Sequence, residues 1–296
     1  MGFGMLMKRN IKMFFKDKGL FFTSLITPLI LLVLYTTFLG KVYRDSFATA
    51  FPEGMEVPEK LLDAAVGGQL ISSLLAVCCV TVAFCSNMLM VQDKVTGARK
   101  DLMITPVKGA TMALAYYMAT LVSTLLICLV ATGAGFLYLG KMGWYLSAKD
   151  VVFFLLDVFL LVMFGVAISS IINFFLSTQG QISAVGSVVS SMYGFICGAY
   201  MPISQFGEGL QKVMSFLPGT YATSLLRNHA LRGVFAELKA DGYPDEIVNI
   251  LRDVIDCNVY FFDDVVKVNT MYVILGGSVV LLIGIYIILN MVKKRG

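Results

Sequence analysis

Histidine occurs once in this chain, at His229, and charged residues make up only 14% of it. A single imidazole excludes histidine-rich metal sites and the H-E-x-x-H pattern of zinc proteases. The shortage of charge excludes an ordinary soluble domain, in which about a quarter of residues are charged. The six cysteines, Cys78, Cys79, Cys85, Cys128, Cys197 and Cys257, never form C-x-x-C, so neither a zinc site nor a disulfide framework is indicated. Five of them sit in apolar runs, and Cys257, outside those runs, has only another chain to pair with. A nucleotide-binding loop is lacking too. Gly135–Met142 reads G-x-x-x-x-G-K and then offers Met142 where a phosphate loop needs Ser or Thr to hold magnesium.

What the chain has in abundance is uncharged apolar sequence. Hydrophobic residues reach 58% and the mean hydropathy is +0.82. They fall into six blocks: Leu20–Leu39, Val66–Val91, Ala110–Leu139, Val151–Phe175, Ile182–Pro202 and Met271–Val292. About 20 apolar residues suffice to cross a hydrocarbon core about 30 Å thick. In lipid each span must satisfy its own backbone, which makes it a helix. The expectation is an all-α membrane protein with six transmembrane helices, forming a single domain over residues 1–296. Only the fourth block carries a formal charge, Asp157, about two turns from its outer end. Intramembrane charges are candidates for a transport pathway, although a structural or interfacial role is open too and no ionic partner within a span is visible. His229 reads as a solvated loop histidine.

The charges outside the blocks set the orientation. Lys8, Arg9, Lys12, Lys16 and Lys18 against Asp17 give the N-terminal segment a net +4. Lys94, Arg99, Lys100 and Lys108 against Asp93 and Asp101 give the second connection +2, and Lys293, Lys294 and Arg295 close the chain. The alternate connections are net acidic, apart from a small excess of cations in Lys141–Asp150. The positive-inside rule therefore puts both termini in the cytoplasm of a plasma-membrane protein. Residues 1–19 read as an amphipathic helix lying in the interface, with Lys8, Lys12 and Lys16 on one arc and Phe3, Met7, Ile11 and Phe14 on the other. A cleaved signal peptide fits poorly, because the apolar run is too long and the small residues Ala48–Ala50 lie beyond its end. Myristoylation fails at Leu6, where Ser or Thr is wanted.

Two connections stand out. Residues 92–109 hold a compact charged island, in which a short helix can start at Asp93, loosen at Gly97 and stop at Thr105-Pro106. Within the outer segment 203–270, and beginning at the end of the fifth block, Cys197–Gly233 alternates helix breakers with Leu, Met and Phe. That composition fits a broken helical hairpin, re-entrant or interfacial, on the outer side. Gly194 and Gly198 form a G-x-x-x-G that lets helices approach, within one subunit or between two. In Tyr221–Thr270, Ile247, Ile250, Leu251 and Val254 recur at helical spacing and predict a small ordered cap.

This layout resembles the membrane subunit of an ABC type-2 exporter over essentially the whole chain. The island resembles the family's coupling helix through Asp93, Gly97, Leu102, Met103, Thr105, Pro106 and Val107. The family often has a glutamate three residues after the glycine, where this chain has Lys100 followed by Asp101. The hairpin resembles its counterpart through Gly198, Pro202, Leu210, Gln211, Leu217, Pro218, Tyr221 and Arg227. The resemblance implies a permease with no catalytic, cofactor or metal site of its own. ATP and magnesium would bind a separate cytoplasmic ATPase, whose cleft would seat Asp93, Gly97, Arg99, Lys100, Asp101, Leu102, Met103, Thr105 and Pro106. A second copy or a related permease would complete the path for a hydrophobic or amphipathic substrate, with membrane lipid around it and no nucleic acid involved. An ion-coupled carrier and a non-transporting scaffold or signalling subunit are the alternatives from other classes.

Overall fold

The computed structural model describes residues 2–49, 51, 57–105, 107–262 and 264–292. Helices dominate them: α1 (Phe3–Lys16), α2 (Lys18–Leu34), α3 (Gly40–Thr49), α4 (Glu59–Val95), α5 (Ala98–Ile104), α6 (Gly109–Met142), α7 (Ala148–Phe175), α8 (Gln179–Ile196), α9 (Glu208–Met214), α10 (Pro218–Ala240), α11 (Asp245–Val254) and α12 (Val268–Val292). A π-helical turn, Tyr35–Leu39, joins α2 to α3, and a minimal antiparallel hairpin pairs β1 (Tyr260–Phe261) with β2 (Asp264–Val265).

The centre of the molecule is α4. Its 37 residues span about 55 Å at 1.5 Å each. Nearly every side chain from Leu61 to Asp93 is buried, because the helix is apolar on all sides and can be shielded only by surrounding it. Helices α2, α6, α7, α8 and α10 do so. Helix α12 packs on α6, α7 and α10 and exposes Val273, Val280, Leu281 and Ile288 outward, as a helix bordering lipid does.

Helix ends follow the sequence. Ser147 and Asp150 form a reciprocal capping box that starts α7, Thr178 and Gln181 form another that starts α8, and the Asp17 carboxylate accepts a hydrogen bond from the Leu20 amide to start α2. Pro218 occupies the first turn of α10, where its missing N–H costs nothing.

Among the described residues, five helical stretches are long and apolar enough to cross a bilayer: Lys18–Asp45, Glu59–Val95, Gly109–Met142, Ala148–Phe175 and Val268–Val292. The protein is thus an all-α membrane protein. The fifth apolar block behaves differently. Its helix, α8, stops at Ile196 rather than running to Pro202, and serine and glutamine dilute its 18 residues. Gly198 takes φ +71° just beyond it, and a side chain on Gly194 would collide with the Tyr200 ring folded back on it. The G-x-x-x-G therefore serves a turn instead of a helix seam.

Contacts fix which ends lie together. Arg9 in α1 pairs with Asp93 at the end of α4, Lys94 donates to carbonyls at the end of α7, and Arg99 donates to Asn290 near the end of α12. At the opposite end, the Tyr35 hydroxyl donates to the Ala199 carbonyl and Tyr272 at the start of α12 meets Asp157.

Candidate functional site

The charged island is two things in the structure. Asp93 and Lys94 belong to α4 itself. Asp93 is buried, receives two hydrogen bonds from the Arg9 guanidinium at 2.6 and 2.9 Å, and accepts a third from the Tyr116 hydroxyl at 2.5 Å. That hydrogen bond to Asp93, the largest influence on Arg9, raises the guanidinium pKa above its ordinary value. The ammonium of Lys94 donates to the carbonyls of Asn173, Phe174 and Leu176 at 2.7 to 2.8 Å. It thereby satisfies the orphan acceptors that every helix C-terminus leaves, here those of α7. Arg99 turns back to Asn290 at 3.3 Å. These cations and the lone acid hold α1, α4, α7 and α12 in register.

What projects is α5. Gly97 breaks the long helix at φ +83°, a left-handed conformation that costs other residues roughly 1 kcal/mol or more, and α5 leaves at a new angle. Lys100 and Asp101 are exposed on it. Leu102 is half-buried against the protein's own core, whereas Met103 is 49% exposed and Ile104 is 85% exposed. The resemblance would seat Leu102 and Met103 together in the ATPase cleft; the helix phase turns Leu102 inward and presents Ile104 beside Met103. Thr105 ends α5, its hydroxyl donating to the Leu102 carbonyl at 2.6 Å. Pro106 lies outside the described residues.

The outer end is organised by Arg227. It is 1% exposed, and its guanidinium donates to the Gly198 carbonyl at 2.5 Å, to Ser73 of α4 at 3.2 Å and to Asp256 at 3.1 Å. Asp256 also accepts from the Ile203 amide at 2.9 Å. Burial pushes the Asp256 carboxyl up to about 6, against the opposing pull of Arg227. One arginine thus ties the turn after α8 to α4, α10 and the segment after α11. Pro202 precedes the 3₁₀ turn Ile203–Gln205. Leu217 and Pro218 open α10, and the buried Tyr221 donates its hydroxyl to the Ser215 carbonyl of the preceding turn. Cys257 is buried at 1% exposure beside this cluster, with its thiol pushed up to about 12 by burial, so it is not presented to another chain.

His229 departs from the expectation of a solvated loop. It lies on α10 at 6% exposure, stacked on Phe153, with Nδ1 at 2.6 Å from Asp157 Oδ2. Tyr272 of α12 donates to the other Asp157 oxygen at 2.5 Å. One turn away, Arg232 pairs with Asp150 at 2.6 Å. Asp157, the charge within the fourth apolar block, is therefore a three-helix junction. Its partners lie 72 and 115 residues away in sequence, which is why spacing could not reveal them. Among the described residues no cluster of His, Cys, Asp or Glu could hold a metal ion.

A groove of about 1570 Å³ runs between α2 and α8. Ile26, Ile30 and Leu34 form its apolar wall, and Ser183, Ser187, Ser190 and Ser191 face them. Ser187 and Ser191 donate to the carbonyls of Ser183 and Ser187 at 2.9 and 2.8 Å, which satisfies the hydroxyl protons inside an apolar medium. Ser183, Ser187 and Ser191 remain exposed, and Ser190 is half-buried. Asp17, at one end, is the only charged residue on the lining among the described residues.

A multi-pass helical membrane protein with a wide polar-faced groove and a projecting helix at one end belongs to the transporter class. The family profile of ABC-2 type transporters matches residues 1–230, from α1 into α10, and the chain belongs to that family as an ABC transporter permease. Comparison with curated proteins finds no match.

Proposed function

We propose that this permease is the membrane subunit of an ATP-driven exporter in the plasma membrane. It crosses the bilayer six times, with both termini cytoplasmic. The six-pass reading is supported by the end contacts. Starting from α1, the chain is back at the same end with Asp93, again with the end of α7, and again with Asn290. Three returns require three outward passes, so α8 is the third of these despite its modest hydropathy. Basic residues at that end assign it to the cytoplasm, and Cys197–Leu217 becomes the broken outer hairpin.

The observation that carries the functional reading is the division of labour in the island. The charges nearest α4 are consumed in holding four helices, while a short rigid helix offers Ile104 and Met103 to the cytoplasm with Lys100 and Asp101 beside them. That is a docking knob for a separate ATPase subunit, which binds ATP and magnesium. ATP can then shift the permease between conformations through its differential affinity for them. The α2–α8 groove, closed by a second copy or a related permease, forms a path for a hydrophobic or amphipathic substrate without formal charge. Reconstitution of the permease with its ATPase in vesicles tests this. Efflux of an amphipathic fluorophore should require ATP and persist after proton and sodium gradients are collapsed. Efflux that stops with the gradients and ignores ATP sinks the proposal.

A further inference from the structure

Helix α2 stands between two grooves of different character. The second, of about 610 Å³, lies between α2 and α6 with α4 as its floor. Phe21, Leu25 and Leu29 form one wall, Leu126 and Ala134 the other, and Leu74 the base. Among the described residues no charged side chain borders it, and the Thr36 hydroxyl at its far end donates to the Leu32 carbonyl of its own helix at 2.9 Å. Water finds no partners in such a space, and apolar cavities stay dry. From Phe21 to Thr36 the trough follows α2 for about 22 Å. One leaflet of a hydrocarbon core about 30 Å thick is shorter than that, so a whole acyl chain fits along it.

The end of the trough near α1 is different. Phe15 and Phe21 close it, their ring centroids 5.9 Å apart. Lys12 lies one turn before both Phe15 and Lys16 on α1, and Lys18 shares the face of α2 that carries Phe21, Phe22 and Leu25. All three lysines are exposed, and none joins an ion pair among the described residues. The adjacent Asp17 forms no ion pair with them among the described residues, its carboxylate capping α2 and bordering the other groove, and it leaves the cluster net positive. A dry trough opening under three unpaired cations has the chemistry of an amphiphile with an anionic head.

We infer that the α2–α6 trough is a binding site for one anionic phospholipid from the leaflet on which α1 lies, its acyl chain along α2 and its phosphate on Lys16 and Lys18. The inference goes beyond transport and needs neither the ATPase nor a substrate. It also separates lipid from the opposite, serine-lined groove, with α2 as the wall between them.

The test is native mass spectrometry and thermal unfolding of the delipidated permease, titrated with phosphatidylglycerol or phosphatidylcholine in neutral detergent. One phosphatidylglycerol per chain should bind at least tenfold more tightly than phosphatidylcholine and raise the unfolding midpoint. The double variant Lys16→Gln/Lys18→Gln should erase that preference. Ala134→Trp, which fills the trough from an exposed position on α6, should abolish the saturable site for both lipids while the protein still elutes as a single folded species. Equal affinity for the two lipids, binding that ignores Ala134→Trp, or full competition by glycerophosphate, which has a head and no chain, would each overturn the inference.

Discussion

Replacing Ile104 with aspartate changes the most exposed apolar side chain on α5 and touches nothing inside the permease. At 85% exposure, almost all of that side chain is available for burial by a partner. Fully burying an isoleucine is worth about 1.5 to 3 kcal/mol, which corresponds to roughly 10- to 100-fold in affinity. Ile104→Ala should therefore weaken the ATPase complex by about tenfold or somewhat more. Ile104→Asp adds the cost of an unpaired carboxylate in an apolar contact, a further several kcal/mol, and should prevent co-purification altogether. Lys100→Gln, at the solvated rim, should cost under about 1 kcal/mol. Leu102→Asp is a poor substitute, because Leu102 packs on the permease's own core and the change would injure the fold as well. The assay is co-purification followed by ATP hydrolysis and efflux in the same vesicles, with the elution profile of the permease as the folding control. An Ile104→Asp permease that is folded, retains its ATPase within threefold of the native affinity and still transports would refute the docking assignment.

Arg9→Ala should lower the unfolding midpoint sharply, by an amount equivalent to about 3 kcal/mol, because it strands the buried Asp93; Arg9→Ala with Asp93→Asn should recover part of the loss, and a double variant no better than the single would contradict the pairing. The outer cluster should respond to pH in a direction set by Asp256. Its folded pKa of about 6 lies above the ordinary carboxylate value, so its contribution is greatest in acid and is lost as pH rises through about 6; thermal midpoints measured from pH 4 to 8 should show this slope in the native protein and not in Asp256→Asn. Ser187→Trp, at an exposed position on α8, should block efflux while leaving ATPase binding intact, and unimpaired efflux would take the α2–α8 groove out of the pathway.

How much of this could be read from residues alone depends on whether the signal was local. Uncharged length located α6, α7 and α12 to within three residues, because burial in lipid is a one-dimensional requirement; it located α2 and α4 as well, but α4 begins seven residues before its apolar block and the block at α2 includes the π-helical turn. The capping residues Ser147 and Thr178 then extended α7 and α8 beyond the apolar runs, for reasons of hydrogen bonding that hydropathy does not register. The break at Gly97 was legible as well, since a glycine before a short charged stretch is a local event. The direction in which α5 points its side chains was not. A seven-residue helix has no repeating stripe from which to take a phase, so Leu102 and Ile104 were indistinguishable until the rest of the molecule supplied an inside.

The charges tell the same story in reverse. Counted by position, Asp93, Lys94, Arg99, Lys100 and Asp101 form one solvated island; placed in the fold, the first three bind α1, α7 and α12. At the outer end, Arg227 and His229 sit in a helix of low mean apolarity that looked exposed, yet each pairs with an acid that would otherwise be buried alone. Charge is scarce in this protein, and much of what there is joins helices that have no other means of fixing their rotation. Between apolar helices in lipid, packing alone has many near-equal solutions, while one buried pair at 2.6 Å admits a single register. The buried ionisable groups thus join helices, Asp157 with His229 and Asp256 with Arg227, and the surfaces proposed to be functional lie outside those junctions, Ile104 at one end of the molecule and the serine face of α8 along its length.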